Sequence, residues 1–308
     1  MKTYESVVVG AGPAGLTAAL YLCNFGLHVA LVEKLTPGGQ MLNTYEIGNY
    51  LGFPEGTPGY SLADTFYAHL KQRDLDHYTK RVESLNYDGR NHLIEFPDET
   101  IAARTVIICT GAIPKMLGLP DEERLTGHGV SYCAMCDGML YRNKTVAMVG
   151  GGNAALEEAL HLSNLVGKLY LIHRRDRFRA DKVYQDKLTH RADKVEFLLS
   201  HGVTALHGMT HLTGITVEPV HGGGPREIDV EGLFIFVGTR PAGHFLSENV
   251  RKDQYGFIET DAEMRTEVPG LFAAGDIRSK QCRQVVTAAG DGATAAFSAF
   301  AYLETLAD

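Results

Sequence analysis

ESVVVGAGPAGLTAALYL (Glu5–Leu22) runs from a β-branched strand through a glycine turn into a helix rich in alanine and leucine. The spacing Gly10, Gly12, Gly15 assigns a task to each glycine. Gly10 makes the tight turn, Gly12 lets backbone approach a pyrophosphate across Pro13 and Ala14, and Gly15 allows the helix to lie close on the strand. The helix start then presents unpaired N–H groups and a partial positive charge to phosphate. LHVALVEK (Leu27–Lys34) supplies a second strand ending in Glu33, placed to accept hydrogen bonds from a ribose and to repel a 2'-phosphate. A glycine turn alone serves packing as often as binding. The strand before it, the helix after it and the acid at this distance make the stretch a dinucleotide-binding unit.

The same order recurs in KTVAMVGGGNAALEEALHLSNL (Lys144–Leu165), where Gly150, Gly152 and Ala155 form a GxGxxA turn around Asn153 and Ala154. Its second strand, in LYLIHRRDRFRADK (Leu169–Lys182), carries His173 and Arg174 where Glu33 stands in the first copy. Arg175 and Arg179 follow. Elsewhere such a run would read as a solvated basic surface, but where a dinucleotide unit meets its adenosine ribose it predicts 2'-phosphate recognition. One chain thus carries two dinucleotide sites, one suited to NADPH and one to a dinucleotide without a 2'-phosphate. Paired sites of this kind suggest electron transfer between a mobile nicotinamide and a resident flavin.

Further segments fit a flavin. PGGQM (Pro37–Met41) is a loop after the first unit, and VIICTGAIP (Val106–Pro114) is a strand ending in a glycine turn at Thr110 and Gly111. VPGLFAAGDIRSKQCRQVVTAAGDGATAAFSAFAYL (Val268–Leu303) contains a strand ending at Gly275 and Asp276, then a long helix of small residues. Asp276 is expected to bind the ribityl or phosphate part of the flavin. The first unit and this last segment share one task from opposite ends of the chain, so the second unit is inserted between them. The reading is an α/β protein of two Rossmann-like domains: residues 1–112 with 244–308, and an inserted domain of 113–243. Linkers are expected near Ala112–Met116 and Thr239–His244, where two crossings make a hinge.

SYCAMCDG (Ser131–Gly138) holds two of the five cysteines, Cys133 and Cys136. An odd count in 308 residues argues against a secreted disulfide scaffold and for a reducing, cytoplasmic setting. Zinc would require a second ligand pair, yet Cys23, Cys109 and Cys282 are isolated, so no metal site is expected. A net charge of -8 speaks against nucleic acid as a default partner. The N-terminus lacks the basic start, apolar core and cleavage site of a signal peptide, and Leu16–Ala30 falls short of the ~20 residues that span a bilayer.

GAGPAG, PGGQM, CAMCDG, GGGNAALEEALHLSN, HRRDRFRA, VPGLFAAGDI and RQVVTAAGDG, in this order, resemble the low-molecular-weight thioredoxin reductases over essentially the whole chain. The resemblance implies an FAD enzyme, usually a homodimer, that passes electrons from NADPH through flavin and a CxxC disulfide to thioredoxin. It implies Cys136 as the thiol next to the flavin, Cys133 as the one that attacks thioredoxin, and Asp137 as acid-base residue. Asp137 also reads as a helix N-cap, and Met135 as a shield against water. Gly39, Gln40, Asn49, Arg283, Gln284 and Val285 join the expected cofactor-binding set. Three residues depart from the pattern. Cys109 stands where alanine is usual, Cys282 precedes Arg283, and both read as small buried hydrophobes; Asp291 puts a carboxylate in a stretch generally uncharged. Competing readings are a dithiol oxidase, a reductase of another disulfide protein, and a non-catalytic FAD redox sensor. The arginine cluster argues against the oxidase.

Overall fold

The computed structural model describes residues 1–44 and 46–306. In chain order the first half comprises β1 (Lys2–Val9), α1 (Pro13–Asn24), β2 (Val29–Val32), the short β3 (Glu46–Ile47) and β4 (Thr57–Pro58), α2 (Gly59–Ala68), β5 (Asp76–Tyr78), β6 (Ser84–Tyr87), β7 (His92–Glu95) and β8 (Thr100–Ile108). β1 lies between β2 and β8, parallel to both, with β5 outside β2. Along its other edge the nine residues of β8 serve two further partners: its start pairs antiparallel with β7, and its end pairs parallel with a strand 165 residues later.

The reason for this order lies in the side chains. Val7, Val9 and Ile108 face one core and Val8 and Ile107 the other, the period-two pattern of a sheet buried on both sides. Each fully buried Leu or Ile here contributes roughly 1.5–3 kcal/mol.

A short ribbon follows. β9 (Ala112–Pro114) leads to α3 (Glu122–Leu125), β10 (Val130–Ser131), α4 (Ala134–Asp137), β11 (Thr145–Gly150), α5 (Asn153–Leu165), β12 (Lys168–His173), α6 (Lys182–Thr189), β13 (Val195–Leu199), β14 (His201–His207), β15 (Gly214–Pro219), β16 (Arg226–Asp229), β17 (Gly232–Phe236) and β18 (Thr239–Pro241). Strands β10, β17, β11, β12 and β13 form a second, all-parallel sheet, and β14 to β16 an antiparallel sheet beside it. Met148 and Val146 pack toward α5, while Ala147 and Val149 pack toward β15. β18 returns antiparallel to β9, so both predicted linkers meet as a two-stranded ribbon.

The chain then re-enters the first sheet through β19 (Leu271–Ala273) and ends in α7 (Val285–Thr305). α7 lies against α1 in the core shared by both helices. Contact is close because Gly292 has no side chain; a Cβ there would come within 2.1 Å of the Ala14 carbonyl oxygen. The two parallel-sheet units, one inserted in the other, are the architecture expected from the repeated glycine turns. No helix among the described residues is long and apolar enough to cross a membrane.

Candidate active site

At the first glycine turn Gly10 has φ +103°, and a Cβ on Gly15 would fall 1.8 Å from the Gly10 carbonyl oxygen, so neither position tolerates a side chain. α1 begins at Pro13, whose missing N–H costs nothing in a first turn. Glu33 accepts from the Ala11 N–H at 2.9 Å and the Leu35 N–H at 3.1 Å, which fixes the end of β2 to the turn.

A cavity of about 1170 Å³ opens above this turn. Gly10, Gly12, Pro13, Ala14, Glu33, Gly39, Gln40, Asn49, Thr110 and Gly111 line it from the first unit's opening half, and Gly275, Asp276, Arg283, Gln284 and Val285 from its return. Asn49 Nδ2 donates to Gln284 Oε1 at 3.0 Å across 235 residues of sequence. Cys133, Cys136, Asp137, Gly152, Asn153, Ala154, Ala155 and Arg179 line the same cavity from the inserted unit. Gly15, Gly150, His173, Arg174 and Arg175 lie outside its wall.

Cys133 and Cys136 form a disulfide. Cys133 is the residue that caps α4, and its Sγ accepts the Cys136 N–H at 3.1 Å. Asp137 ends α4 and stands at the N-cap position of the 3₁₀ turn Gly138–Tyr141, but its side chain makes no capping bond there; its Oδ2 accepts from Ser131 Oγ at 2.6 Å. Burial raises the Asp137 carboxyl above its ordinary range, and the Ser131 hydrogen bond opposes this only in part. Met135, expected to shield the pair, is itself 47% exposed. Its N–H donates to Glu158 Oε2 at 3.1 Å, and burial pushes the Glu158 carboxyl up to about 7.

Glu158 gives the first prediction. Its folded-state pKa exceeds that of the unfolded chain, so folded protein holds the proton longer and stability from this group falls as pH rises from 4.5 through about 7. Glu158→Gln keeps an acceptor for Met135 and removes the charge. It should raise the melting temperature at pH 8 by a few degrees and leave it unchanged near pH 4; an equal shift at both pH values would contradict the assignment.

The second glycine turn is held by the arginine loop, whose Arg179 and Ala180 N–H groups donate to the Gly151 carbonyl at 2.7 and 3.2 Å. Arg174, Arg175, Arg177 and Arg179 are exposed. His173 does not join them: it is buried, stacked on Phe178 and packed over Gly151. Burial, then Arg179, Arg175 and Arg174, depresses its pKa. Cys109 is buried as expected, whereas Cys282 is exposed on the cavity wall, so its reading as a buried hydrophobe is corrected. Ser131, Glu158, Arg278 and Lys280 were missed by the sequence reading. For Ser131 the signal was available in the spacing SxCxxCD; for the others only the fold brings partners together.

Does this cavity fit a flavin dinucleotide? Thr110 Oγ1, Asp276 Oδ1 and Arg283 Nε are buried on its wall without a hydrogen-bond partner among the described residues. A ligand bearing hydroxyl and amide groups would satisfy them, and burial without such partners costs about 1–3 kcal/mol each. The bare backbone at Gly12 and Gly39, and the start of α7 at Val285, suit phosphate and ring oxygens. The residues present fit the group.

The chain belongs to the pyridine nucleotide-disulphide oxidoreductase family, whose profile matches residues 4–292. Thioredoxin reductases are among its relatives at 38–40% identity. It is 40% identical to the thioredoxin reductase of Listeria innocua over 99% of this chain and 95% of that one. Among solved structures, the Streptococcus pyogenes thioredoxin reductase covers 98% of this chain and 99% of its own, at 39% identity and a TM-score of 0.93. The Lactococcus lactis thioredoxin reductase in its FR conformation has the same coverage and 36% identity but a TM-score of 0.69.

Proposed function

We propose that this protein is an NADPH-dependent FAD enzyme that reduces the disulfide of thioredoxin. The observation that carries the reading is the Cys133–Cys136 disulfide on the wall of the cavity that the first glycine turn and Asp276 also line. Bound FAD would exchange the two-electron hydride of NADPH for the two electrons that a disulfide accepts. Gly10 to Gly15, Glu33, Gly39, Gln40, Asn49, Thr110, Gly111, Gly275, Asp276 and Arg283 to Val285 hold FAD. Gly150 to Ala155 and the arginine loop hold NADPH. The domain limits we assign, 1–112 with 244–308 and 113–243, fall at the β9/β18 ribbon.

The thiol chemistry belongs to the chain's own residues. Cys133, as thiolate, attacks one sulfur of the thioredoxin disulfide; that S–S bond breaks and a mixed disulfide forms. Cys136 then attacks the Cys133 sulfur, which restores the Cys133–Cys136 bond and releases the second thiol. The Cys136 N–H, already directed to Cys133 Sγ, favours the thiolate at that atom. Asp137, with one oxygen on Ser131 and a raised pKa, supplies the proton that the leaving thiolate takes. In sum NADPH, a proton and a disulfide give NADP⁺ and a dithiol. Exposed Met139 and Leu140, immediately after the pair, offer an apolar patch to a protein substrate.

The finer assignments are a homodimer in the cytoplasm. The aromatic cluster of Tyr21, Phe25, Phe297 and Phe300, at the C-terminal end of α1 and on α7, supports self-association, with Phe297 56% exposed.

The test is oxidation of NADPH and of NADH by purified protein with a panel of oxidised thioredoxins. Charge-assisted bonds from Arg174, Arg175 and Arg179 to a 2'-phosphate contribute roughly 1.5–3 kcal/mol each, so NADPH should exceed NADH by a wide margin. Arg175→Ala with Arg179→Ala should erase most of that margin and leave NADH kinetics nearly unchanged. Equal use of both nicotinamides by the unaltered protein would return the cluster to a solvated surface, and absence of turnover with every thioredoxin would refute the substrate.

A further inference from the structure

Asp291, the carboxylate that departs from the expected pattern, turns away from the cavity wall toward three donors. Its Oδ2 accepts the Gly275 N–H at 3.0 Å and Lys280 Nζ at 2.9 Å, and forms an ion pair with Arg278 Nη1 at 3.0 Å. The side chains of Asp291 and Arg278 are 13% exposed and that of Lys280 12%, so water screens these pairs weakly. Lys280 also donates to Thr287 Oγ1 at 3.3 Å, again on α7.

A second carboxylate competes for the same lysine. Asp276 Oδ1 lies 3.9 Å from Lys280 Nζ, close enough for Coulomb attraction but beyond a hydrogen bond. That oxygen is buried and has no hydrogen-bond partner among the described residues. The four-carbon stem of lysine closes a gap of this size by ordinary rotamer change. What prevents it is the hold that Asp291 and Thr287 have on the ammonium.

We propose that Asp291 is a positioning residue for the flavin dinucleotide: by retaining Lys280 it keeps Asp276 Oδ1 open to accept a hydroxyl of the ligand. The same oxygen fixes the Gly275 N–H, so α7 holds the Gly275–Asp276 turn from behind. Without the Asp291 charge, Lys280 pairs with Asp276 and occupies the acceptor that the dinucleotide needs. The charges around Asp276 agree with this arrangement: Lys280 and Arg283 stabilise its carboxylate, Asp291 opposes it, and burial raises its pKa above the usual range. The proposal rests on the reading that Asp276 faces FAD.

The experiment measures FAD release from the holoenzyme on dilution, followed by recovery of flavin fluorescence. Asp291→Asn retains an oxygen for the Gly275 N–H and loses the hold on Lys280; it should raise the FAD dissociation constant at least tenfold. Lys280→Met alone should change it less than threefold. In combination with Asp291→Asn it should recover most of the lost affinity, because the competing cation is gone. A merely structural Asp291 predicts the opposite, a double variant as weak as Asp291→Asn or weaker, and that result overturns the proposal, as does unchanged affinity in Asp291→Asn. If Asp291→Asn does not accumulate as folded holoenzyme, Asp291→Ser is read in the same way. Asp276→Asn separates the two layers of inference. If it binds FAD as tightly as the parent, the reading of Asp276 fails; if it binds weakly while no rescue occurs in the double variant, only the role of Asp291 fails.

Discussion

Changing Cys133 and Cys136 together to Ser should lower thioredoxin reduction by a factor on the order of 10³ or more, because removing a covalent nucleophile takes with it the only low-barrier route. The same variant should halve reductive uptake. A flavin and a disulfide each accept two electrons, so anaerobic titration of the parent should consume about four electrons per chain and the double variant about two. Neither Cys109 nor Cys23 is placed to substitute. Cys109 is buried with its thiol pKa pushed far up by desolvation, and Cys23 is shifted the same way. Cys282 is the informative control, since it is exposed on the cavity wall. Cys282→Ser should leave both turnover and electron uptake unchanged. Uptake of about four electrons in the Cys133/Cys136 variant would remove this pair from the reaction.

The frame around this site was legible because local rules govern it. Gly10 and Gly15 are required by one tight turn and one close approach, and both lie within a single strand, turn and helix. The insertion could be read because the two glycine turns repeat while the flavin segments sit at opposite ends of the chain. What resisted reading depends on side-chain direction between distant segments. Asp291 was flagged as a carboxylate near a flavin, but only the packing of α7 on the Gly275 turn shows that it faces Lys280 and Arg278. His173 looked like one more basic group beside three arginines. It sits at the last position of β12, and its ring turns inward over Gly151, which a strand pattern with period two allows but does not specify. Cys282 was misread because apolar thiols are buried more often than not, and nothing local to SKQCRQ tells that this loop borders a cavity. The N-cap of α4 is Cys133, since the helix starts one residue after the first cysteine, and Asp137 takes the N-cap position of the 3₁₀ turn that follows without a side-chain capping bond.

A cross-link engineered between β3 and α4 should leave Cys133–Cys136 oxidised when NADPH is added, a loss of at least a hundredfold in rate, while a small dithiol still reduces the pair. The expectation comes from a conflict of positions. α4, with the disulfide, packs against β3 of the first unit. The Gly150–Ala155 turn follows β11 of the inserted sheet and the disulfide lies on α4 of the same unit, so one unit must present two different faces to one cofactor. Movement of the unit would resolve this, with the ribbon of β9 and β18 as the place where it turns. The far end of that hinge is set by Glu122, a fully buried carboxylate that accepts the N–H groups of Leu117, Gly118 and Leu119 and the Tyr132 hydroxyl. Leu117 to Leu119 are thereby tied through Glu122 to Tyr132, the residue before Cys133, which leaves the ribbon and Met116 as the expected place of bending. Thiol counting by alkylation and mass measurement, before and after NADPH, reads the outcome directly. Rapid appearance of two thiols in the cross-linked protein would falsify rotation and show that NADPH, the cavity and the disulfide work together without it. Opening the cross-link should restore the parent rate, which separates a block on movement from damage to the site.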